Sequence, residues 1–217
     1  MIVAIDGPAG SGKTTVAKLL AKQLHISYLD TGATYRALTY AALNKKLVLS
    51  DADALSKAAQ NMNLEVKDDR IYLDGDDISD VIRTPLIDRN ISIVVSFPEV
   101  REVMRRLQQK IAQGKHFVVE GRDITTVVFP EAEYKFYLDA DSKVRALRRF
   151  KELNDKGIDI GFEMVREDLE KRDYSDKHRK VSPLVISDDA TYIDTTKLTI
   201  SQTVKEIAQY IDSGKFI

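Results

Sequence analysis

The chain of 217 residues has no cysteine. A disulfide framework, a thiolate nucleophile and a zinc–thiolate centre are therefore excluded. Histidine is scarce too: His25, His116 and His178 are far apart and show no metal-binding spacing. Neither sign of charge is in excess. Lys and Arg number 33, Asp and Glu 34, and the net charge is −1, so no global field draws the protein to nucleic acid or to an anionic membrane. No apolar run approaches the ~20 residues of a membrane-spanning helix. The first residues enter an apolar run without the basic region and cleavage site of a secretory leader. These absences lead us to expect a cytoplasmic protein with no membrane and no nucleic-acid polymer among its partners; we expect a monomer, although the sequence does not give the oligomeric state. A chain this long makes one or two domains and buries roughly 70% of its unfolded surface.

What is present begins at residue 7. Gly7-Pro8-Ala9-Gly10-Ser11-Gly12-Lys13-Thr14 fits G-x-x-x-x-G-K-[ST], the phosphate-binding P-loop. Its glycines let backbone N–H groups turn inward where a Cβ would clash. Those groups and the N-terminus of the following helix form a nest for polyphosphate. Lys13, expected in a solvent-facing nest, supplies a point charge for the β/γ-phosphates, and the Thr14 hydroxyl is suited to Mg²⁺. The flanks agree with the motif. Ile2–Ile5 is a short apolar run suited to a buried strand, and Val16, Leu19, Leu20 and Leu24 recur at helical spacing.

Further strand-like runs fall at Ile26–Leu29, Phe117–Val119, Lys135–Leu138 and Thr191–Ile193. Helical stripes lie at Val100, Val103, Met104, Leu107 and Ile111, and at Val204, Ile207, Ala208 and Ile211. Strands alternating with helices predict an α/β fold with a parallel sheet covered on both faces. Residues 64 to 78 break the alternation. Their short apolar runs and the Asp74-Gly75 pair predict an inserted antiparallel meander of three strands. The acidic run at 74–77 lacks the EF-hand ligand pattern and reads as turn chemistry. Residues 154–161, with Gly157 and Gly161 and little to bury, read as a mobile loop, followed by a helical stripe at Phe162, Val165 and Leu169.

Three further groups carry chemistry. Asp30-Thr31-Gly32-Ala33-Thr34-Tyr35-Arg36 follows the second strand, where open α/β sheets bind ligands; it serves equally as an ordinary capped helix start. Glu120-Gly121-Arg122-Asp123 follows another strand and offers an acidic partner for Mg²⁺ with an anion-pairing guanidinium, or else a structural ion pair. Cations crowd Arg172 to Arg179 and recur at Arg145, Arg148 and Arg149. The cluster Lys177-His178-Arg179-Lys180 could equally be a solvated turn. Beside a P-loop, these cationic sets favour phosphoryl transfer, in which two polyanions must be brought together.

Six segments then make the chain resemble the bacterial cytidylate kinases, within the P-loop nucleoside monophosphate kinases: IVAIDGPAGSGKTT, YLDTGATYR, IRT, FPEVRE, EGRDITTVVFP with FYLDA, and the pattern from Arg172 to Leu184. The resemblance implies a P-loop fold with a five-stranded parallel sheet flanked by helices, in three parts. The core is 1–30, 95–152 and 169–217. A nucleoside-monophosphate-binding part, 31–94, holds the meander, and a short lid spans 153–168.

It implies ATP as phosphoryl donor with Mg²⁺, and CMP and dCMP as acceptors. Donor binding falls to Gly7, Pro8, Ala9, Gly10, Ser11, Gly12, Lys13, Thr14 and Thr15, with Arg148 and Arg149, and the metal contact to Thr14. Acceptor binding falls to Thr31, Tyr35, Arg36, Ser92, Arg101, Arg122, Asp123, Arg172, Asp176 and Arg179. Lys13, Arg122, Arg172 and Arg179 are the expected catalytic residues. Ser175 and Lys177 stand where some members carry further arginines, and Thr31 where some carry serine. Other readings are a kinase for UMP or another small acceptor, and a nucleotide-binding switch. Against a GTPase, Asn44-Lys45-Lys46-Leu47 lacks the carboxylate that reads guanine.

Overall fold

A computed structural model describes residues 1–67 and 69–214. Asp68 of the predicted meander and the last three residues of the predicted core segment lie outside the described residues. In chain order the elements are β1 (Ile2–Asp6), α1 (Lys13–Leu24), β2 (Ser27–Asp30), α2 (Thr31–Asn44), α3 (Ala52–Gln60), β3 (Leu64–Lys67), β4 (Arg70–Leu73), β5 (Asp76–Asp77), α4 (Pro85–Val94), α5 (Pro98–Ala112), β6 (Phe117–Glu120), β7 (Tyr134–Asp139), α6 (Ser142–Asp155), α7 (Phe162–His178), β8 (Thr191–Asp194) and α8 (Ile200–Asp212). A 3₁₀ turn at Val81–Arg83 precedes α4, and a π-helical turn at Ile124–Val128 follows β6.

The predicted α/β fold is present. Five strands form one sheet in the order β2-β6-β1-β7-β8, with β1 parallel to β7 and β7 parallel to β8. Val3, Ala4 and Ile5 of β1 are fully buried, as expected for a strand covered on both faces. The three-stranded meander β3-β4-β5 is also present and antiparallel. Its β4–β5 turn carries Asp74 and Gly75 at φ of 54° and 93°. Two successive positive φ values make the tight turn whose twist suits a hairpin.

The chain divides into two compact units, Met1–His25 with Val118–Ile217, and Ile26–Phe117. The second unit has its own core, in which Leu38, Leu55, Ile82, Val100 and Met104 are fully buried. The stripe of α5 supplies part of it: Val103, Leu107 and Ile111 pack against that cluster. This helix therefore belongs to the unit that also holds the meander.

In the first unit, α6 runs to Asp155 and α7 starts at Phe162, so the predicted glycine loop lies between two helices. Ile158 is exposed. Leu153, Ile160 and Phe162, however, pack against a cluster of Ala9, Ala146, Val165 and Leu169. Leu153 and Phe162 flank the stretch; within it Ile160 alone is part buried and the other residues of 154–161 are exposed, as expected of a segment with little to bury.

Candidate functional site

The glycine loop links β1 to α1, as its sequence requires. Gly7 and Gly10 adopt φ of 148° and 76°. A Cβ on Gly7 would meet the Leu138 carbonyl oxygen at 2.0 Å, and one on Gly10 the Arg145 carbonyl oxygen at 2.9 Å. The space these glycines leave is thus filled by the protein's own backbone, which holds the loop in its turn. Gly12 caps α1 in the left-handed conformation with no side-chain cap, so the first N–H groups of the helix keep their donors for an anion. Thr14 and Thr15 in that turn are exposed.

Lys13 is not solvent-facing, as the sequence suggested, but 4% exposed. Its Nζ donates to the Pro8 carbonyl at 2.6 Å and lies 3.3 Å from Ser11 Oγ. The reason is geometric: the loop itself places an acceptor within reach of the ammonium. Burial and then the neighbouring Arg122 lower its pKa to about 7, with Glu120 and Asp6 opposing. A buried ammonium on the first, side-chain-uncapped turn of a helix is a site that an anion would stabilise. Nucleoside triphosphate with Mg²⁺ fits this donor set. The nest and Lys13 would take the phosphates, and the exposed Thr14 hydroxyl would reach the cation.

Asp6, at the end of β1, is fully buried. It accepts from Ile124 N at 2.9 Å, Thr125 N at 2.8 Å and Thr125 Oγ1 at 2.7 Å. The carboxylate thereby caps the π-helical turn and pins the Arg122-Asp123 segment before it. Burial pushes its pKa up, against the pull of those three donors.

Arg122, Asp123, Asp176 and Arg179 come together. Arg122 Nε donates to Asp176 at 2.8 Å, Arg179 Nη2 lies 3.4 Å from Asp123, and Arg179 Nη1 lies 3.7 Å from Asp176. Arg179 also donates through Nε to the Ser182 carbonyl. Arg172, on the exposed face of α7, adds its charge to the group. Burial opposes ionisation of Asp176, but Arg122, Arg172 and Arg179 outweigh it and hold its pKa below the usual value of 3.8. A carboxylate depressed on folding contributes stability above its unfolded pKa, and loses it as pH falls through the folded one. Asp176→Asn should therefore be less stable than the parent at neutral pH, with the gap closing below pH 3.8. Urea titrations between pH 7 and 3 measure it. A gap that does not change with pH would contradict the assignment.

The helix α6 arginines divide differently from the sequence reading. Arg145 is a strut and not a free phosphate ligand. It donates to the Ala140 carbonyl at 3.0 Å and the Ala9 carbonyl at 2.9 Å, and it pairs with Asp173. Asp173 in turn accepts from Ala9 N at 3.2 Å. The pair thus grips both polar groups of one residue in the glycine loop. The physical reason is burial: both side chains sit in the packed layer between α6, α7 and the loop, where a charge needs a partner. Asp173 was missed, although Val165, Leu169 and Asp173 recur every fourth residue, and a carboxylate on an apolar stripe signals a buried partner. Arg148 donates to Thr195 Oγ1 at 3.0 Å and to the Thr195 carbonyl at 2.6 Å, and Thr195 Oγ1 donates to the Ser11 carbonyl at 3.1 Å. Arg149 pairs with Glu152 at 2.8 Å.

The second unit gathers the remaining predicted residues. Asp30 caps α2 by accepting from Ala33 N at 3.0 Å, and its other oxygen lies 3.0 Å from Arg83. Thr31 and Tyr35, one helical turn apart, are buried, and the buried Arg101 of α5 lies 5.5 Å from the Tyr35 ring centroid. Arg36 pairs with Asp88 of α4. Ser92, also on α4, is exposed. Gln108 donates to Thr34 Oγ1 at 2.8 Å, a buried bond that ties α5 to α2.

A glycine loop between strand and helix, its lysine held by the Pro8 carbonyl at the start of α1, with a cluster of arginines in the same unit, defines a P-loop protein of the phosphoryl-transfer type. Comparison with known proteins makes the assignment narrower. The cytidylate kinase family model matches residues 3–213. A cytidylate kinase of Caldanaerobacter subterraneus is 46% identical over 209 residues, covering 96% of this chain and 93% of that one. One of Ligilactobacillus salivarius is 47% identical over 214 residues, covering 97% and 96%. Among solved structures, an uncharacterized protein from Eubacterium ventriosum superposes with a TM-score of 0.56 at 18% identity, covering 98% of this chain and 99% of that one, a likeness of fold. The chain belongs to the cytidylate kinase family and is a phosphotransferase. No helix among the described residues is long and apolar enough to cross a membrane.

Proposed function

We propose that the protein transfers the terminal phosphoryl group of ATP to CMP and dCMP, yielding ADP with CDP or dCDP. The observation that carries this reading is the family match across residues 3–213, a range that includes the P-loop and the Arg122–Asp123 and Arg172–Arg179 clusters. ATP with Mg²⁺ supplies, when bound, the electrophilic phosphorus and the bridging charge. Lys13 and the N–H groups of the loop bind the donor phosphates, and Thr14 orients the cation. Arg148 and Arg149 flank the donor nucleotide. Arg122, Arg172 and Arg179 offset the charge that spreads over the transferring group.

On the acceptor side, Arg36, Arg101 and Arg179 grip the phosphate, Arg172 and Asp176 the sugar. Ser92, Arg122 and Asp123 read the base together with Thr31, and Tyr35 lines the ring. The attacking phosphate oxygen is already ionised near neutral pH, since a phosphomonoester's second pKa is about 6, so no general base is required. Catalysis is positioning plus charge stabilisation, with residues 153–168 as a lid that excludes water. In this reading 31–94 forms the acceptor part, and 1–30, 95–152 and 169–217 form the core. The enzyme works as a cytoplasmic monomer.

Acceptor choice tests the proposal. Cytosine offers an unprotonated N3 and an amino donor, whereas uracil presents an N3–H and a carbonyl at the same places. A guanidinium facing N3 and a carboxylate facing the amino group suit the first pattern and leave mismatched groups with the second, at about 1–3 kcal/mol each. We expect kcat/KM for CMP and dCMP to exceed that for UMP by at least tenfold, about 1.4 kcal/mol, with AMP and GMP poorer still. A coupled ADP-release assay over the five acceptors measures this. Equal rates for UMP and CMP, or a preference for AMP, would overturn the reading.

A further inference from the structure

Within the second unit, Arg36 is held by an acid that no motif anticipates. Arg36 lies on α2, and Asp88 lies in the first turn of α4. Nη1 of Arg36 is 2.5 Å from Asp88 Oδ1 and 3.4 Å from the Ile82 carbonyl. The two ends differ in their surroundings. The arginine side chain is 13% exposed and the aspartate side chain 39%. The guanidinium is therefore the fixed partner, walled in by α2 and the 3₁₀ turn, and the carboxylate is the wet one. Four residues on from Asp88, one helical turn, comes Ser92, exposed and assigned to the acceptor in the reading above. Asp88 thus stands on the same face of α4 as a proposed substrate residue.

Resting on the reading that Arg36 grips the acceptor's phosphate, we infer that Asp88 is the resident counter-anion of Arg36 and sets acceptor affinity by competing with that phosphate. A dianionic phosphate arriving at Arg36 meets a guanidinium whose Nη1 is already engaged. It must displace the carboxylate into water or sit beside a like charge, and both weaken binding. Displacement is open to Asp88 because the side chain is part exposed and stays near the N-terminal end of α4, where negative charge is favoured. Acceptor binding at this arginine is thus an exchange of one anion for another. Because the aspartate already neutralises the arginine, stray anions such as inorganic phosphate gain little there.

Titration calorimetry with CMP, alongside steady-state kinetics, tests the exchange on Asp88→Asn, Asp88→Ser, Arg36→Ala and the Asp88→Asn/Arg36→Ala double variant. Asp88→Asn and Asp88→Ser should each bind CMP about threefold to fivefold more tightly, the scale of a partly exposed ion pair. Inorganic phosphate should become a better inhibitor against CMP, and KM for ATP should not move. Arg36→Ala should weaken CMP binding, and the double variant should match it, because without the guanidinium there is nothing to compete for. If Arg36→Ala leaves CMP affinity intact, the acceptor role of Arg36 falls, and this inference with it. If Arg36→Ala weakens CMP while the Asp88 variants bind CMP no better or worse than the parent, the acceptor role stands and the competition is overturned. Weaker binding there would make Asp88 a positioning residue for Arg36.

Discussion

Replacing Lys13 with Met is expected to cut kcat/KM by about 10²–10³-fold, or ~3–4 kcal/mol, while the fold survives. In the proposed reaction, the charge is the part of this side chain that would contribute to transfer. It lies inside the loop at 2.6 Å from the Pro8 carbonyl, beside the N–H donors of α1, where developing negative charge on the phosphates would be met at low dielectric. That charge does not stabilise the fold: burial and then Arg122 hold its pKa at about 7, below the ordinary lysine value, so folding disfavours the ammonium and removing it costs the fold nothing electrostatically. Methionine keeps the apolar stem in this buried position, so packing is separated from charge. The loss on the stability side is the hydrogen bond to Pro8, about 1 kcal/mol. Single-turnover transfer and a thermal melt together decide. A variant with normal melting that keeps more than a tenth of the parent rate would show that Lys13 does not reach the transferring group.

The second large effect concerns Asp6. Asp6→Ala should lower stability by about 2–3 kcal/mol, because two backbone N–H groups and a buried hydroxyl lose their acceptor at ~1–3 kcal/mol each, less the recovered cost of burying a carboxylate. For a chain of this size that is a fall in Tm of about 4–12 °C. Activity should drop as well at temperatures where the variant is folded, since the π-helical turn capped by Asp6 sets the position of Arg122 and Asp123. Urea denaturation and the rate on folded protein are the two readouts. A melting point within a degree or so of the parent would mean that these donors find other acceptors, and that the turn does not depend on Asp6.

The elements legible in the chain are those whose cause is local. The strand before the glycine loop, the stripe of α5 and that of α8 follow from apolar spacing alone, and the meander from a pair of turn residues that tolerate positive φ. Candidate residues flanking strand ends, such as Arg122 and Asp123, were legible for the same reason: in a parallel sheet, chain position fixes which end of the strand a residue occupies. The arginines of α6 show where that reasoning stops. Arg145, Arg148 and Arg149 look alike as letters, yet the first grips Ala9 and Asp173, the second Thr195 and the third Glu152.

By itself, then, the sequence determined the α/β alternation, the phosphate-binding turn and the inserted meander, because periodicity and turn chemistry act over a few residues. Only the tertiary structure decided what each charge is for. Asp6 meets its donors 118 and 119 positions away, Ala9 meets Asp173 across 164, and Arg36 meets the Ile82 carbonyl across 46. Lys13 turns inward because its loop offers the acceptor. Such pairings depend on which elements the packed core brings to one place, and a buried charge takes whatever partner that packing supplies, since leaving it alone costs far more than any local preference.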